Sequence, residues 1–218
     1  MYPPHIQDEG SVSIRFTDDD FGITHLASFF HQDWKSSGSA RSIVVDYVEQ
    51  MPETYILALA NDALKLVSRG DENTVSILWE CATGSNHSLR SANETGLIWF
   101  QYIIHICEVK IDNPDIINVG NNFSNLRTNI IKEIDSVESA LVSLVERNFT
   151  TGVPGAVSAL KNCALNISPE LAFRVLLRVL MEYSIDLNSF QYGRLLNLGR
   201  EFDYGEFVVS RLSFLVVE

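Results

Sequence analysis

A mainly α-helical protein, built as two packed helical subdomains with room for one short N-terminal strand, is the fold this sequence predicts. Apolar residues recur at alternating steps of three and four along most of the 218 residues. Capping residues and Pro or Gly stops bracket those stretches where helices should begin and end. The strand period shows once, where Val12, Ile14 and Phe16 alternate over residues 11–16.

In the first half, Asp18, Asp19 and Asp20 precede Phe21, Leu26, Phe29, Phe30 and Trp34, whose spacing places them near one face of a helix. Acids suit a helix start, because they complement its N-terminal dipole. A Ser/Gly loop at residues 36–39 closes this helix and caps the next, which carries Ile43, Val44, Tyr47, Val48 and Met51 until Pro52 stops it. A third helix is expected over residues 54–68, with Leu57, Ala60, Leu64 and Val67 inward and Gly70 at its end. Asp71 should cap a fourth, with Val75, Leu78, Trp79 and Ala82 inward. Residues 84–93 are polar and read as a loop. Residues 94–109 read as a fifth helix, apolar enough to be buried. Asp112-Asn113-Pro114-Asp115 and Gly120-Asn121-Asn122 break the pattern, so subdomains 1–112 and 113–218 are expected.

In the second half, Ser124 is the expected cap of a long helix with Leu126, Ile130, Ile134, Val137, Leu141 and Leu144 on one stripe. Gly152-Val153-Pro154-Gly155 turns the chain into a short helix ending near Leu165. Ser168-Pro169-Glu170 is a start signal: a cap, proline at the first helical position, then an acid. The helix that follows is apolar nearly all round. Glu170, Arg174, Arg178 and Glu182, spaced by four, form its one polar stripe and are expected to pair along an exposed edge. Asn188 opens another helix that Gly199 should end, and residues 204–209 lead into a last apolar segment, helix or strand.

The longest apolar candidate for a membrane span, residues 97–109, is interrupted by Gln101, His105 and Glu108, which is too short and too polar. Met1-Tyr2-Pro3-Pro4-His5 is not a signal peptide, having no basic region followed by an apolar core. Cys81, Cys107 and Cys163 are odd in number and lie in apolar helical contexts, so they read as reduced core residues of a cytoplasmic protein. The net charge of −12 argues against nucleic acid or an anionic membrane as partner. Residues 1–112 hold 16 acids against 7 bases, and residues 113–218 hold 12 against 9. An acidic first half suits capture of a basic partner; plain solubility is the alternative meaning.

The most specific string is Phe29-Phe30-His31-Gln32-Asp33-Trp34, followed after the Ser/Gly loop by Ile43-Val44-Val45-Asp46-Tyr47-Val48. Together with the later helix that carries Trp99, it resembles immunity proteins of bacterial contact-dependent growth-inhibition systems. The resemblance spans residues 21–109. It implies a small cytoplasmic protein that binds and neutralises a cognate toxin domain, most plausibly a basic nuclease, in a 1:1 complex without a cofactor. In such proteins the domain is about this first half alone, whereas here another hundred residues follow. Gln191-Tyr192-Gly193 and Tyr204-Gly205-Glu206-Phe207-Val208-Val209 resemble segments of other toxin-system immunity proteins.

Within that resemblance, Phe29, Phe30 and Trp34 are expected to organise packing. His31, Gln32 and Asp33 are expected to satisfy backbone groups of the following loop. Toxin contact should fall on surface acids and variable loops: Asp18, Asp19, Asp20, Asp71, Glu72, Asp112, Asp115 and the loop at 85–93.

No enzyme motif competes with this reading. His31 and Asp33, two apart, diverge on a helix and cannot share a metal. His105 and Glu108 can converge but lack a third ligand. No phosphate-cradling Gly-rich loop, nucleophile elbow or Cys/His metal spacing occurs. A non-enzymatic helical adaptor is the alternative function.

Overall fold

Helix supplies nearly all the regular structure, as the periodicity predicts. The computed structural model describes Phe16 and residues 20–111, 123–146 and 153–217. Asp18, Asp19, Asp112, Asp115 and most of the expected 11–16 strand lie outside the described residues. Phe16 makes an isolated parallel bridge to Tyr204, and Leu187 another to Val216; neither belongs to a sheet.

The helices are α1 Gly22–Ser28, α2 Ala40–Gln50, α3 Glu53–Arg69, α4 Glu72–Ala82, α5 Gly96–Lys110, α6 Arg127–Glu146, α7 Ala156–Asn162, α8 Pro169–Glu182, α9 Ser189–Glu201 and α10 Phe207–Ser210. Short 3₁₀ turns at Trp34–Ser37, Ser124–Leu126 and Arg211–Leu215, and a π turn at Cys163–Ile167, join or extend them.

The caps behave as their chemistry demands. Ser39, Asp71, Ser168 and Asn188 each accept a hydrogen bond from the backbone N–H three residues on, and Pro169 stands at the start of α8. Three expected boundaries differ. Ser124 opens the short 3₁₀ turn, and α6 itself begins at Arg127. Helix α9 runs through Gly199 to Glu201. The first helix ends at Ser28 instead of continuing to Trp34, because Phe29 and Phe30 turn to bond Leu26 and Ala27 carbonyls three residues back.

Two helix faces also differ from expectation. On α3 Ala60 is buried as expected, but it shares the inner face with Ile56, Leu59, Asp62, Ala63 and Leu66, while Leu57, Leu64 and Val67 are only half-buried. On α5 one side is buried through Trp99, Phe100, Ile103, Ile104 and Cys107, while Ile98 and Val109 face solvent. The predicted stripe, from Leu126 in the turn before α6 to Leu141 on it, is buried; the side chain of Leu144 lies outside the described ones.

One continuous apolar core runs through both halves, from Phe21 and Leu26 to Leu212 and Leu215. At its centre is α8, where every residue from Glu170 to Leu180 is buried. It packs against α1 and α4 from the first half and α6 and α7 from the second.

The polar stripe of α8 is therefore not an exposed edge. Arg174, 1% exposed, donates through Nη2 to both carboxylate oxygens of Asp62 at 2.7 and 2.8 Å. Its Nη1 donates to the Phe21 carbonyl at 2.7 Å and the Thr24 hydroxyl at 3.2 Å. The guanidinium also lies 4.1 Å from the Phe21 ring centroid. Burial pushes the Arg174 pKa down, but the charge of Asp62, the Tyr204 and Glu170 groups and the Asp62 hydrogen bond together outweigh it, so the cation is retained. Asp62 in turn accepts from the Ile23 N–H at 3.1 Å. Gly22 sits between them at φ +62°, where a Cβ would stand 2.0 Å from Asp62 Oδ2, so only glycine fits.

Glu170 and Arg178 are buried too, while Glu182 at the end of the stripe is half-buried. Arg178 donates to the Ala82 carbonyl at 3.0 Å and pairs with Glu182 at 2.5 Å. Glu170 accepts from the Tyr204 hydroxyl at 3.1 Å. Arg211 pairs with buried Asp20 at 3.1 Å. A charged seam thus joins the two halves inside the apolar core.

Candidate functional site

The string at 29–34 builds an aromatic cluster with its polar residues outside. Phe30 is fully buried and stacks on His87, with ring centroids 4.8 Å apart and planes 19° apart. The Phe30 ring meets Trp79 edge-on at 5.2 Å and Trp34 at 5.3 Å. Trp34 Nε1 donates to the Asn86 carbonyl at 2.9 Å. Trp79 Nε1 donates to His87 Nδ1 at 3.0 Å, which requires that nitrogen to be unprotonated. Burial, helped by the Lys35 charge, pushes the His87 pKa down to about 4, so the ring is neutral at physiological pH. The packing role expected for Phe30 and Trp34 is thus realised, and these contacts hold the 84–93 turn against the 29–34 turn. Phe29 is partly exposed and packs edge-on against His25 and Tyr47.

His31, Gln32 and Asp33 are exposed, and their expected structural role is largely unfilled. His31 Nδ1 accepts from the Asp33 N–H at 3.2 Å. The Asp33 carbonyl, not its carboxylate, bonds Ser36. The Asp33 carboxylate caps nothing at the start of the 34–37 turn. The reason is local: the chain leaves α1 before residue 31, so these side chains point away from the backbone they were expected to serve. Instead they line a cleft of about 360 Å³ with Gly84, Asn86, Glu182 and Tyr183.

The acids expected to meet a partner have different fates. Asp20 is buried at 2% exposure; its Oδ1 accepts from the Phe21 N–H and the Thr24 hydroxyl, and its Oδ2 from Arg211. It cannot offer a contact surface, because withdrawing it would strand Arg211. Asp71 is exposed and caps α4; hydrogen bonds from the Thr74 hydroxyl and N–H hold its carboxyl below the ordinary range. Glu72 reaches across to α5: Oε1 accepts from the Gly96 N–H at 2.6 Å and Oε2 from the Leu97 N–H at 3.0 Å. Burial raises the Glu72 pKa, but the bonds from Ser76, Leu97 and Gly96 outweigh it and leave the carboxyl below its ordinary value. Glu72 lines a second cleft, of about 470 Å³, with Glu80, Arg90 and Glu94 among its walls. The structure does not bring Asp71 or Glu72 into the cleft that holds His31, Gln32 and Asp33.

Among the described residues no group of three or more His, Cys, Asp or Glu is placed to hold a metal. His105 and Glu108 both face solvent on α5. Cys81, Cys107 and Cys163 are free and buried, and burial raises all three thiols, Cys107 and Cys163 to about 12. Among the described residues no helix is long and apolar enough to cross a membrane.

No protein-family model matches the chain, and neither a curated protein nor a solved structure matches it.

Sequence reasoning missed Gly84, Asn86, Glu182 and Tyr183 as neighbours of the 31–33 edge. The segment at 84–93 was legible as a turn, but His87 and Leu89, both buried, are what draw it inward. No spacing in the chain relates residues 31–33 to 182–183.

Proposed function

We propose that this chain is an immunity protein that binds one toxin domain, a basic nuclease, in a 1:1 cytoplasmic complex and occludes its active site. The observation that carries the reading is the exposed His31-Gln32-Asp33 edge, held by buried Phe30 and Trp34 on a molecule of net charge −12. A surface fixed before binding loses little conformational freedom on association, which favours tight complexes. The acidic surface steers a basic partner and speeds capture, an effect that fades as salt screens it. The mechanism asks for no bond-making chemistry, no cofactor, and no nucleic acid or membrane as partner.

Co-expression with the toxin domain encoded immediately upstream tests the proposal. The expected result is cell survival and co-purification of a stoichiometric complex whose association rate falls with salt. Failure of both, with an active toxin and a folded protein, removes the immunity reading. A helical adaptor then stands in front, favoured by exposed Phe190, Phe207 and Phe214, at 83, 53 and 65% exposure.

A further inference from the structure

Four apolar side chains stand open near the end of the chain. On α10 and the 3₁₀ turn after it, Val208, Val209, Leu212 and Leu215 are buried. Phe207 and Phe214, seven positions apart, lie on the opposite face. Helix α9 buries Leu195 and Leu198 and turns Phe190 outward. The two helices lie close together. A Cβ on Gly199 of α9 would stand 2.6 Å from Val209 Cγ2, and the Tyr192 hydroxyl donates to the Ser210 carbonyl at 3.4 Å. The bridge from Leu187 to Val216 brings the start of α9 beside residues 214–217. Elements packed side by side over one core turn their outer faces the same way, so Phe190, Phe207, Phe214 and Val217 share one side of the molecule. With 83, 53, 65 and 47% of their surfaces open, they present roughly 450 Å² of apolar area, at about 200 Å² for a phenyl side chain. A stable interface takes about 800 Å² from each partner, of which about 57–65% is apolar. The face therefore holds nearly all the apolar area that one side of a dimer needs.

We infer that this face joins two copies of the chain in a two-fold symmetric dimer. A two-fold contact uses the same patch on both sides, so it asks for no second complementary surface. Phenyl rings meeting phenyl rings across the axis satisfy that condition. Charge distinguishes a second copy from a basic partner. The face belongs to residues 113–218, with 12 acids against 9 bases, whereas residues 1–112 hold 16 against 7. A copy of this acidic chain meets least repulsion through its less charged half, while a basic partner is drawn to the other. The dimer goes beyond the immunity reading and does not depend on it, since each chain of a dimer can carry one toxin domain.

Light scattering behind size-exclusion chromatography, on the full chain, is the first test. The mass should be twice the 24.5 kDa of one chain at about 50 µM, well above a micromolar dissociation constant. Phe190→Glu with Phe214→Glu should weaken dimerisation by about a hundredfold or more, as the loss of two buried aromatic anchors does. Far-ultraviolet circular dichroism of that variant should stay helical, because both side chains lie outside the core. Ile98→Glu with Val109→Glu, at exposed apolar positions on α5 in the first half, should leave the mass unchanged. Amide exchange at residues 189–194 and 207–217 should slow as the unmodified protein is concentrated. A monomer at that concentration, a dimer that survives the Phe changes, or equal weakening by the α5 changes would overturn the inference. A monomer whose toxin binding is lost with the Phe changes would overturn it too, and would give the face to the toxin.

Discussion

Asp62 and Arg174 show how much one buried pair can decide. Both are nearly inaccessible, and together they satisfy the Phe21 carbonyl, the Thr24 hydroxyl and the Ile23 N–H. Removing one partner leaves a buried charge without compensation, which costs about 3–5 kcal/mol. Arg174→Met should therefore lower stability by that order in urea unfolding, and Asp62→Leu should do likewise. The double change should recover much of the loss, because well-packed apolar groups replace a buried ion pair at little net cost. A double variant as unstable as the sum of the singles would show that the pair holds α1 in place by more than its charge. His87 gives a second residue-scale prediction. Its pKa of about 4 in the folded chain lies below the ordinary 6.5. A depressed folded pKa means the contribution is complete above pH 6.5 and is lost as pH falls through 4. Stability should drop by about 3 kcal/mol over that window from this group. The ring proton resonance should titrate near pH 4, and a midpoint near 6.5 would contradict the buried, neutral assignment.

Among the elements, α4 and α5 are joined by a device that neither segment reveals alone. Glu72 opens α4 yet supplies its carboxylate to the first N–H groups of α5, where the helix dipole favours an anion. Glu72→Ala should cost about 1–2 kcal/mol at pH 7. Because this carboxyl sits below its ordinary value, its contribution is present above pH 4.5 and fades as pH falls through the lowered value. The gap between the urea midpoints of the two proteins should narrow as pH falls below 4.5; a constant gap would assign the loss to packing instead. Helix positions and caps were largely legible because periodicity, Ser168-Pro169 and Asn188 are local signals. Faces were less so. On α3 the apolar pattern supports either side, and Asp62 is drawn inward by an arginine more than a hundred residues away. On α8 the charge spacing is that of an exposed stripe, and only the seam beneath α1 and α4 reveals it as interior. The candidate cleft was half legible: residues 31–33 stand out by their unusual string, while Glu182 and Tyr183 arrive through the fold.

Across the whole molecule, the halves on either side of residue 112 complete one another. The first half contributes Asp20, Asp62 and the Ala82 carbonyl; the second contributes Arg211, Arg174 and Arg178 to meet them. Helix α8 buries side chains on all sides, with α1 and α4 covering part of it. Separating the halves would expose that apolar surface to water and leave Asp20 and Asp62 without their cations. Both effects act in the same direction, and each is comparable to the marginal stability of a domain. The full chain is therefore expected to unfold in one cooperative transition, with coincident curves from tryptophan fluorescence and far-ultraviolet circular dichroism. The three tryptophans all lie in the first half and report on it, while circular dichroism reports on both. A fragment of residues 1–112 should show no cooperative transition of its own, although it carries the whole aromatic cluster around His87. Adding residues 113–218 in trans should restore the transition if the seam re-forms. A first-half fragment that melts cooperatively near the temperature of the full chain would mean that the seam joins two domains already stable by themselves.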